Sequence, residues 1–190
     1  MPLSKKMQEL VGAITHYRQS LLNSVSDLSD AQLAFKADES TWAINDILHH
    51  LALTDEANAK LAARALKHAT ERGLPADPTP EASVLNCLDE ALAPMRNTRA
   101  QAPEFVTPHE HLAADASIER LQASRARMLD AVEQLGGYDL TQLKYQHPIL
   151  GELDMYQWLL IAGGHEGRHV AQIGRIKAAA SFPNSVTSDQ

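Results

Sequence analysis

Gly163-Gly164-His165-Glu166-Gly167-Arg168-His169 lies within a long apolar-periodic stretch, and the phase of that stretch decides how the chain folds. Counted from Trp158, the positions Ala162, His165, His169, Ile173 and Ile176 follow the i, i+3, i+4 spacing of a helix's buried stripe. The spacing predicts a final helix, capped by Asp154 and running to about Ala180, with both histidines turned toward the interior. Two imidazoles four residues apart stand one turn apart on the same face, so their nitrogens can converge on one ion. Two core histidines satisfied by neighbouring side chains would give the same pattern, and each buried polar group left unpartnered would cost roughly 1–3 kcal/mol.

Working outward from this stretch, the rest of the chain also reads as helices. Leu3, Met7, Leu10, Ile14, Tyr17, Leu21, Val25 and Leu28 keep helical spacing behind a candidate N-cap, Ser4. Ser29 caps a single turn, and Lys36 to Ser40 reads as a loop. A second long helix, capped by Ser40 or Thr41, carries Ile44, Ile47, Leu48, Leu51, Ala62 and Leu66 and ends at Gly73. Glu81 to Arg99 has Val84, Leu88, Leu92 and Met95 on one side and predicts an additional helix that Pro94 should kink or stop. Ile118 to Leu135 is a further amphipathic helix closed by Gly136-Gly137, and Tyr138 to Gly151 reads as a loop. No strand pattern is evident. The expectation is an all-α four-helix bundle with an additional helix, residues 1–180 forming one domain and 181–190 a flexible tail.

Bulk properties narrow the function. A chain of 190 residues, 44% hydrophobic, is long enough to bury one sizeable core. A net charge of −7 with scattered Lys and Arg argues against nucleic-acid binding, which needs clustered positive charge. The single cysteine, Cys87, excludes an internal disulfide. No apolar run approaches the ~20 residues of a membrane span, and no signal-peptide pattern opens the chain. Together these features predict a cytoplasmic protein.

His165-Glu166-Gly167-Arg168-His169 also matches H-E-x-x-H, the helix motif in which two histidines hold zinc and the Glu acts as general base. Peptidases built on that motif need a third protein ligand, and residues 170–190 contain neither His nor Glu. A ligand from another helix is the better solution, because helix bundles assemble metal sites from facing helices. His49-His50 supplies the candidates. His50 shares its stripe with Ala43, Ile47, Thr54 and Ala57, whereas His49 shares its own with Trp42, Asn45 and Glu56, so His50 is the inward-facing one. Glu166 is expected to be an ordinary solvated helix residue. Asp55 is placed to hydrogen-bond a ligand histidine, Gln172 stands one turn past His169, and His147 is expected to fix the loop entering the final helix. Gly163-Gly164 reads as a point of close helix approach.

Trp42-Ala43-Ile44 with His50-Leu51-Ala52, then His147-Pro148-Ile149-Leu150-Gly151-Glu152-Leu153, then His165-Glu166-Gly167-Arg168-His169-Val170-Ala171-Gln172-Ile173 occur together and in this order. In this the chain resembles the DinB-like (YfiT-like) metal-binding four-helix bundles, and the resemblance covers most of its length. It implies a divalent cation, zinc or nickel, held by His50, His165 and His169 with water completing the shell. It also implies an enzyme that transfers a low-molecular-weight thiol, as co-substrate, to a small electrophilic molecule, as characterised members do with bacillithiol; a mycothiol-dependent isomerase also belongs to the family. Metal-dependent hydrolysis of a small molecule and a non-catalytic metal- or ligand-binding module are the alternatives. Pairing into a homodimer is a further expectation of the resemblance, with Val84, Leu88, Leu92 and Met95 as a candidate surface.

Overall fold

The computed structural model describes residues 3–85, 102–109 and 112–184. Four long helices carry it: α1 (Lys5–Val25), α3 (Ile44–Arg72), α4 (Ala114–Leu135) and α5 (Met155–Lys177), with a single-turn α2 (Asp30–Leu33). A two-stranded antiparallel hairpin, β1 (Lys144–His147) and β2 (Gly151–Asp154), leads into α5. α1 packs along α5 and α3 along α4, and α3 meets α5 across the bundle. The all-α four-helix architecture expected from the periodicity is the observed one.

Helix ends follow local chemistry. Ser4 Oγ accepts from the Met7 N–H, and Ser29 with Gln32 forms a reciprocal capping box around α2. Gly73 closes α3 in the left-handed conformation at φ 58°, which a Cβ would disfavour. The Asp154 carboxylate accepts from the Gln157 N–H at 2.9 Å while Gln157 returns the bond to the Asp154 N–H at 3.0 Å.

Several boundaries differ from expectation. α3 starts at Ile44, because Asp46 accepts from the Ala43 N–H at 2.9 Å and takes the capping role expected of Ser40 or Thr41. Those two residues belong to the preceding turn, where Asp38 accepts from the Ser40 N–H. α4 begins one turn earlier than Ile118. Part of the segment read as a loop pairs as the hairpin, with Lys144 opposite Asp154 and His147 opposite Gly151. Each strand is only four residues long and half exposed, so neither leaves a hydrophobic alternation that sequence could show. Glu81–Leu85 is turn and bend, and the rest of the additional helix, with Cys87, Leu88, Leu92 and Met95, lies outside the described residues. Within the expected tail, Phe182 packs edge-on against Phe35 and the Pro183 carbonyl accepts from Gln32 at 2.9 Å. No helix of the described residues is long and apolar enough to cross a membrane.

The core has two apolar halves. One gathers Met7, Leu10, Ile14, Met128, Leu135 and Leu159, and the other Leu21, Ile44, Leu48, Leu51, Leu121 and Ile173. Between them each long helix contributes one charged residue: Arg18 from α1, Asp55 from α3, Arg125 from α4 and Glu166 from α5, all buried.

Candidate metal centre

Where α3 faces α5, His50, His165 and His169 come together, each offering one nitrogen within 4.8 Å of the others. The Nε2 atoms of His165 and His169 are 3.0 Å apart, and those of His50 and His165 are 3.4 Å apart. The remaining nitrogens of His50 and His169 are engaged. His50 Nδ1 lies 2.7 Å from the Val106 carbonyl, supplied by a 3₁₀ turn at Glu104–Val106, and His169 Nδ1 lies 2.9 Å from Gln172 Oε1. A carbonyl oxygen only accepts, so each of these Nδ1 atoms carries its ring's proton and each Nε2 presents a lone pair. One proton, on His165 Nε2, is the most that can lie between them, and one proton cannot satisfy both lone pairs.

Protonating the rings does not resolve the crowding. Burial lowers all three histidines from the ordinary imidazole value: His50 against the opposing pull of the Val106 carbonyl, His165 well below with further help from the charges of His169, His50 and Arg168, and His169 to about 3. Three neutral imidazoles with converging lone pairs suit a divalent cation. Bonds of ~2.0–2.1 Å in tetrahedral geometry need nitrogens roughly 3.3 Å apart, which matches the two separations.

The triad opens on a cavity of about 760 Å³. Trp42 and Trp158 form part of its wall, and Phe105 and Ile149, both exposed, border it from the 3₁₀ turn and the hairpin tip. The Trp42 ring stands 4.9 Å from that of His50, and Trp158 Nε1 donates to Asn58 at 3.1 Å. Arg168 and Arg175 line the cavity from α5, and no Asp or Glu among the described residues does. His147 lines it too. Its Nδ1 accepts from the N–H groups of Ile149 and Leu150, each at 3.2 Å, so the ring fixes the hairpin turn as expected and carries its proton on Nε2.

Four sequence-level assignments need correction or completion. Glu166 is not solvated: its Oε1 accepts from Arg18 and, at 2.7 Å, from Arg125, while its Oε2 has no partner among the described residues. Burial pushes its carboxyl up from the ordinary value against the opposing charges of Arg125 and Arg18. Asp55 touches no ligand histidine, accepting instead from Ser124 at 2.9 Å and Arg125 at 3.1 Å and pairing with Arg18 at 3.2 Å. His49 is buried but adds no nitrogen to the triad. The stripe drawn through the histidines is also not the deepest one. Leu159, Gly163, Glu166 and Ile173 make that stripe, one residue and thus about 100° around the helix, which places the histidines at its edge facing the cavity. Gly163 is a point of close approach, since a Cβ there would lie 3.3 Å from the Ile14 Cα. The Val106 carbonyl and the two cavity arginines had no signal in the sequence that set them apart.

The sequence model of the DinB superfamily matches residues 13–173, which contain most of each of the four long helices and the whole triad. The chain belongs to the DinB superfamily. Among relatives of this DinB-superfamily chain, YuaE of Bacillus subtilis (strain 168) is 27% identical over 156 residues, covering 82% of this chain and 89% of YuaE. GK0616 of Geobacillus kaustophilus (strain HTA426), whose name provisionally makes it a metal-dependent hydrolase, is 23% identical over 172 residues, covering 90% and 84%. Two solved structures share the fold. TT2238, a four-helix bundle protein, superposes with a TM-score of 0.60 at 19% identity, over 89% of this chain and 98% of its own. YfiT from Bacillus subtilis superposes with a TM-score of 0.56 at 15% identity, over 93% and 89%, and is provisionally described as a metal-dependent hydrolase with an unusual four-helix bundle topology.

Proposed function

We propose that this protein is a divalent-metal-dependent enzyme acting on small molecules, with His50, His165 and His169 as the metal ligands and zinc or nickel as the ion. The observation that carries the reading is the convergence of Nε2 lone pairs whose rings are held in that tautomer by the Val106 carbonyl and Gln172. A divalent ion with three neutral ligands keeps its full charge and an open position, where it lowers the pKa of bound water to about 7 or holds a thiolate. The cavity is of a size to enclose a small substrate beside that position.

For the reaction, we favour transfer of a low-molecular-weight thiol to an electrophile. Hydrolysis in such sites commonly uses a carboxylate or imidazole to take the proton of the attacking water. Here Glu166 is turned into the core between two arginines, His147 has its lone pair engaged by backbone N–H groups, and no carboxylate among the described residues lines the cavity. A thiol that binds as thiolate needs no such base. The hydrolase assignments given to GK0616 and YfiT support the second reading, metal-dependent hydrolysis at the same open position.

Metal analysis of the purified protein and of His50→Ala, His165→Ala and His169→Ala tests the ligand set. Near-stoichiometric metal in wild type and loss in each variant is expected, and full metal in His165→Ala would refute it. A panel of thiols with a generic electrophile, assayed with and without chelator, tests the reaction: turnover without thiol that chelator abolishes would replace transfer with hydrolysis, and silence throughout would leave a binding module. Assembly as a homodimer is carried as a proposal alongside. Light scattering is expected to give about twice 20.8 kDa, and a main species near 20.8 kDa would rule the dimer out.

A further inference from the structure

Among the described residues, the charges lining the cavity are one-sided. The chain as a whole has 24 acidic residues and a net charge of −7, yet the ionisable side chains around the cavity are four histidines and two arginines, with no carboxylate among the described residues. Three of those histidines turn their Nε2 atoms toward one another, and the fourth, His147, carries its proton on Nε2. The fixed positive charge comes from Arg168 and Arg175. These two stand seven residues apart on α5, two turns or roughly 10 Å along its axis, and Gln172 falls between them on the same stripe. The line of His165 and His169 runs about 60° around the helix from that stripe, since Arg168 and Gln172 each stand three residues past one of the two histidines. The apolar part of the lining comes from Trp42 and, on α5 itself, from Trp158 and Ile161, with Phe105 and Ile149 at its border. A concave surface that combines one sign of fixed charge with aromatic rings concentrates counter-ions and gives an apolar group somewhere to bury.

We propose that the cavity selects small organic anions, an apolar or aromatic body carrying a carboxylate or phosphoryl group, with Arg168 and Arg175 receiving the anionic end and the tryptophan wall the body. Guanidinium pairs bind such oxygens in a planar, two-pronged fashion that an ammonium does not reproduce. The proposal rests on the reading of this cavity as a substrate site, and it deepens that reading by naming the substrate class; recognition of the anion itself uses side chains that are not metal ligands.

Both tryptophans of the chain line the cavity, so intrinsic fluorescence reports its occupancy directly. The zinc-loaded protein is titrated with 3-phenylpropanoate and with its neutral counterpart 3-phenylpropanamide. The acid is expected to bind at least about tenfold more tightly, a preference that falls with added NaCl. In Arg168→Gln/Arg175→Gln, with unchanged circular dichroism, the preference is expected to collapse to within about twofold, while Arg168→Lys/Arg175→Lys retains part of it. Equal binding of acid and amide by wild type, or a preference independent of salt, would overturn the proposal without any variant. So would a preference that survives in the double Gln variant but vanishes in His165→Ala, because the carboxylate would then be held at the triad. Metal content, measured in parallel, separates the two readings: a His165→Ala protein that keeps its metal sinks the ligand assignment, whereas a wild type that holds metal and ignores the charge of the probe sinks only this one.

Discussion

Replacing Glu166 by Gln should destabilise the protein severely while leaving the three histidine donors in place. Arg18, Asp55, Arg125 and Glu166 form a closed set of two positive and two negative charges, each no more than 6% exposed. Glu166 Oε1 alone receives hydrogen bonds from Arg18 Nε, Arg18 Nη2 and Arg125 Nη2. The substitution keeps shape and volume but leaves the set with one net positive charge in the core, and removing one partner from such a buried group costs about 3–5 kcal/mol. That is a large fraction of the ~5–15 kcal/mol of a whole domain. Urea unfolding followed by far-ultraviolet circular dichroism measures it, with the exposed Glu133→Gln as control and the slope checked for constancy. Adding Arg125→Met to Glu166→Gln restores neutrality, so the double variant should lose at least ~1 kcal/mol less than the sum of the single losses. A loss below ~1 kcal/mol in Glu166→Gln, or strictly additive losses, would refute the idea that charge balance holds this layer together. Loss of metal with stability intact would refute it differently, by showing that Glu166 serves the triad after all.

Other expectations follow from single contacts. Gln172→Ala should weaken metal affinity about 10–100-fold, read by chelator competition, because it removes the group that fixes the His169 tautomer; unchanged affinity would make Gln172 a bystander. Gly167→Ala should destabilise by ~1–3 kcal/mol, since the new Cβ would lie 2.8 Å from the Tyr17 ring, and Tyr17→Leu should relieve it; the exposed Gly12→Ala, with nothing within 4 Å, should instead stabilise α1 by up to ~1 kcal/mol. Asp77 is desolvated, which raises its carboxyl, but bonds from Tyr156, Lys6 and the Thr79 N–H outweigh this and hold it below the ordinary 3.8. A depressed folded-state value means stability present above pH 3.8 and lost as pH falls through the folded value. Asp77→Asn should therefore cost ~1–3 kcal/mol near neutrality, and its deficit should shrink in unfolding curves taken progressively below pH 3.8; a deficit constant with pH would contradict the assignment.

The bundle was legible because its evidence is local. Ser4, Gly73 and Asp154 end or begin helices through bonds to residues within four positions, and the apolar periodicity of α1, α3, α4 and α5 spans at least 20 residues each. The triad was legible for a mixed reason. The spacing of His165 and His169 is local, the choice of His50 over His49 came from the composition of the two helix stripes, and the joint pattern of motifs carried the rest. The four-residue strands of the hairpin and the displaced start of α3 escaped because short exposed strands and a cap made by Asp46 at the third helical position leave no periodic trace.

Glu166 escaped for a deeper reason, and the same reason explains how the site is held. Sequence periodicity places residues by hydropathy, so a Glu between two histidines is read as facing water. In the fold its partners are Arg18, 148 residues away, and Arg125, 41 away, and only their presence makes burial tolerable. The consequence is a division of labour within His165-Glu166-Gly167-Arg168-His169. Gly167 lets α5 approach Tyr17, Glu166 pins α5 to α1 and α4 through the charged layer, and His165 and His169, about 100° around, are thereby aimed at His50 on α3. Arg168, on the remaining face, reaches the cavity. One turn of helix thus carries the packing contact, the buried counter-charge, two of the three candidate ligands and one of the charges proposed to recognise substrate. A rotation of α5 that spared the apolar contacts would still break the charged layer, so that layer fixes the angular register on which the triad depends.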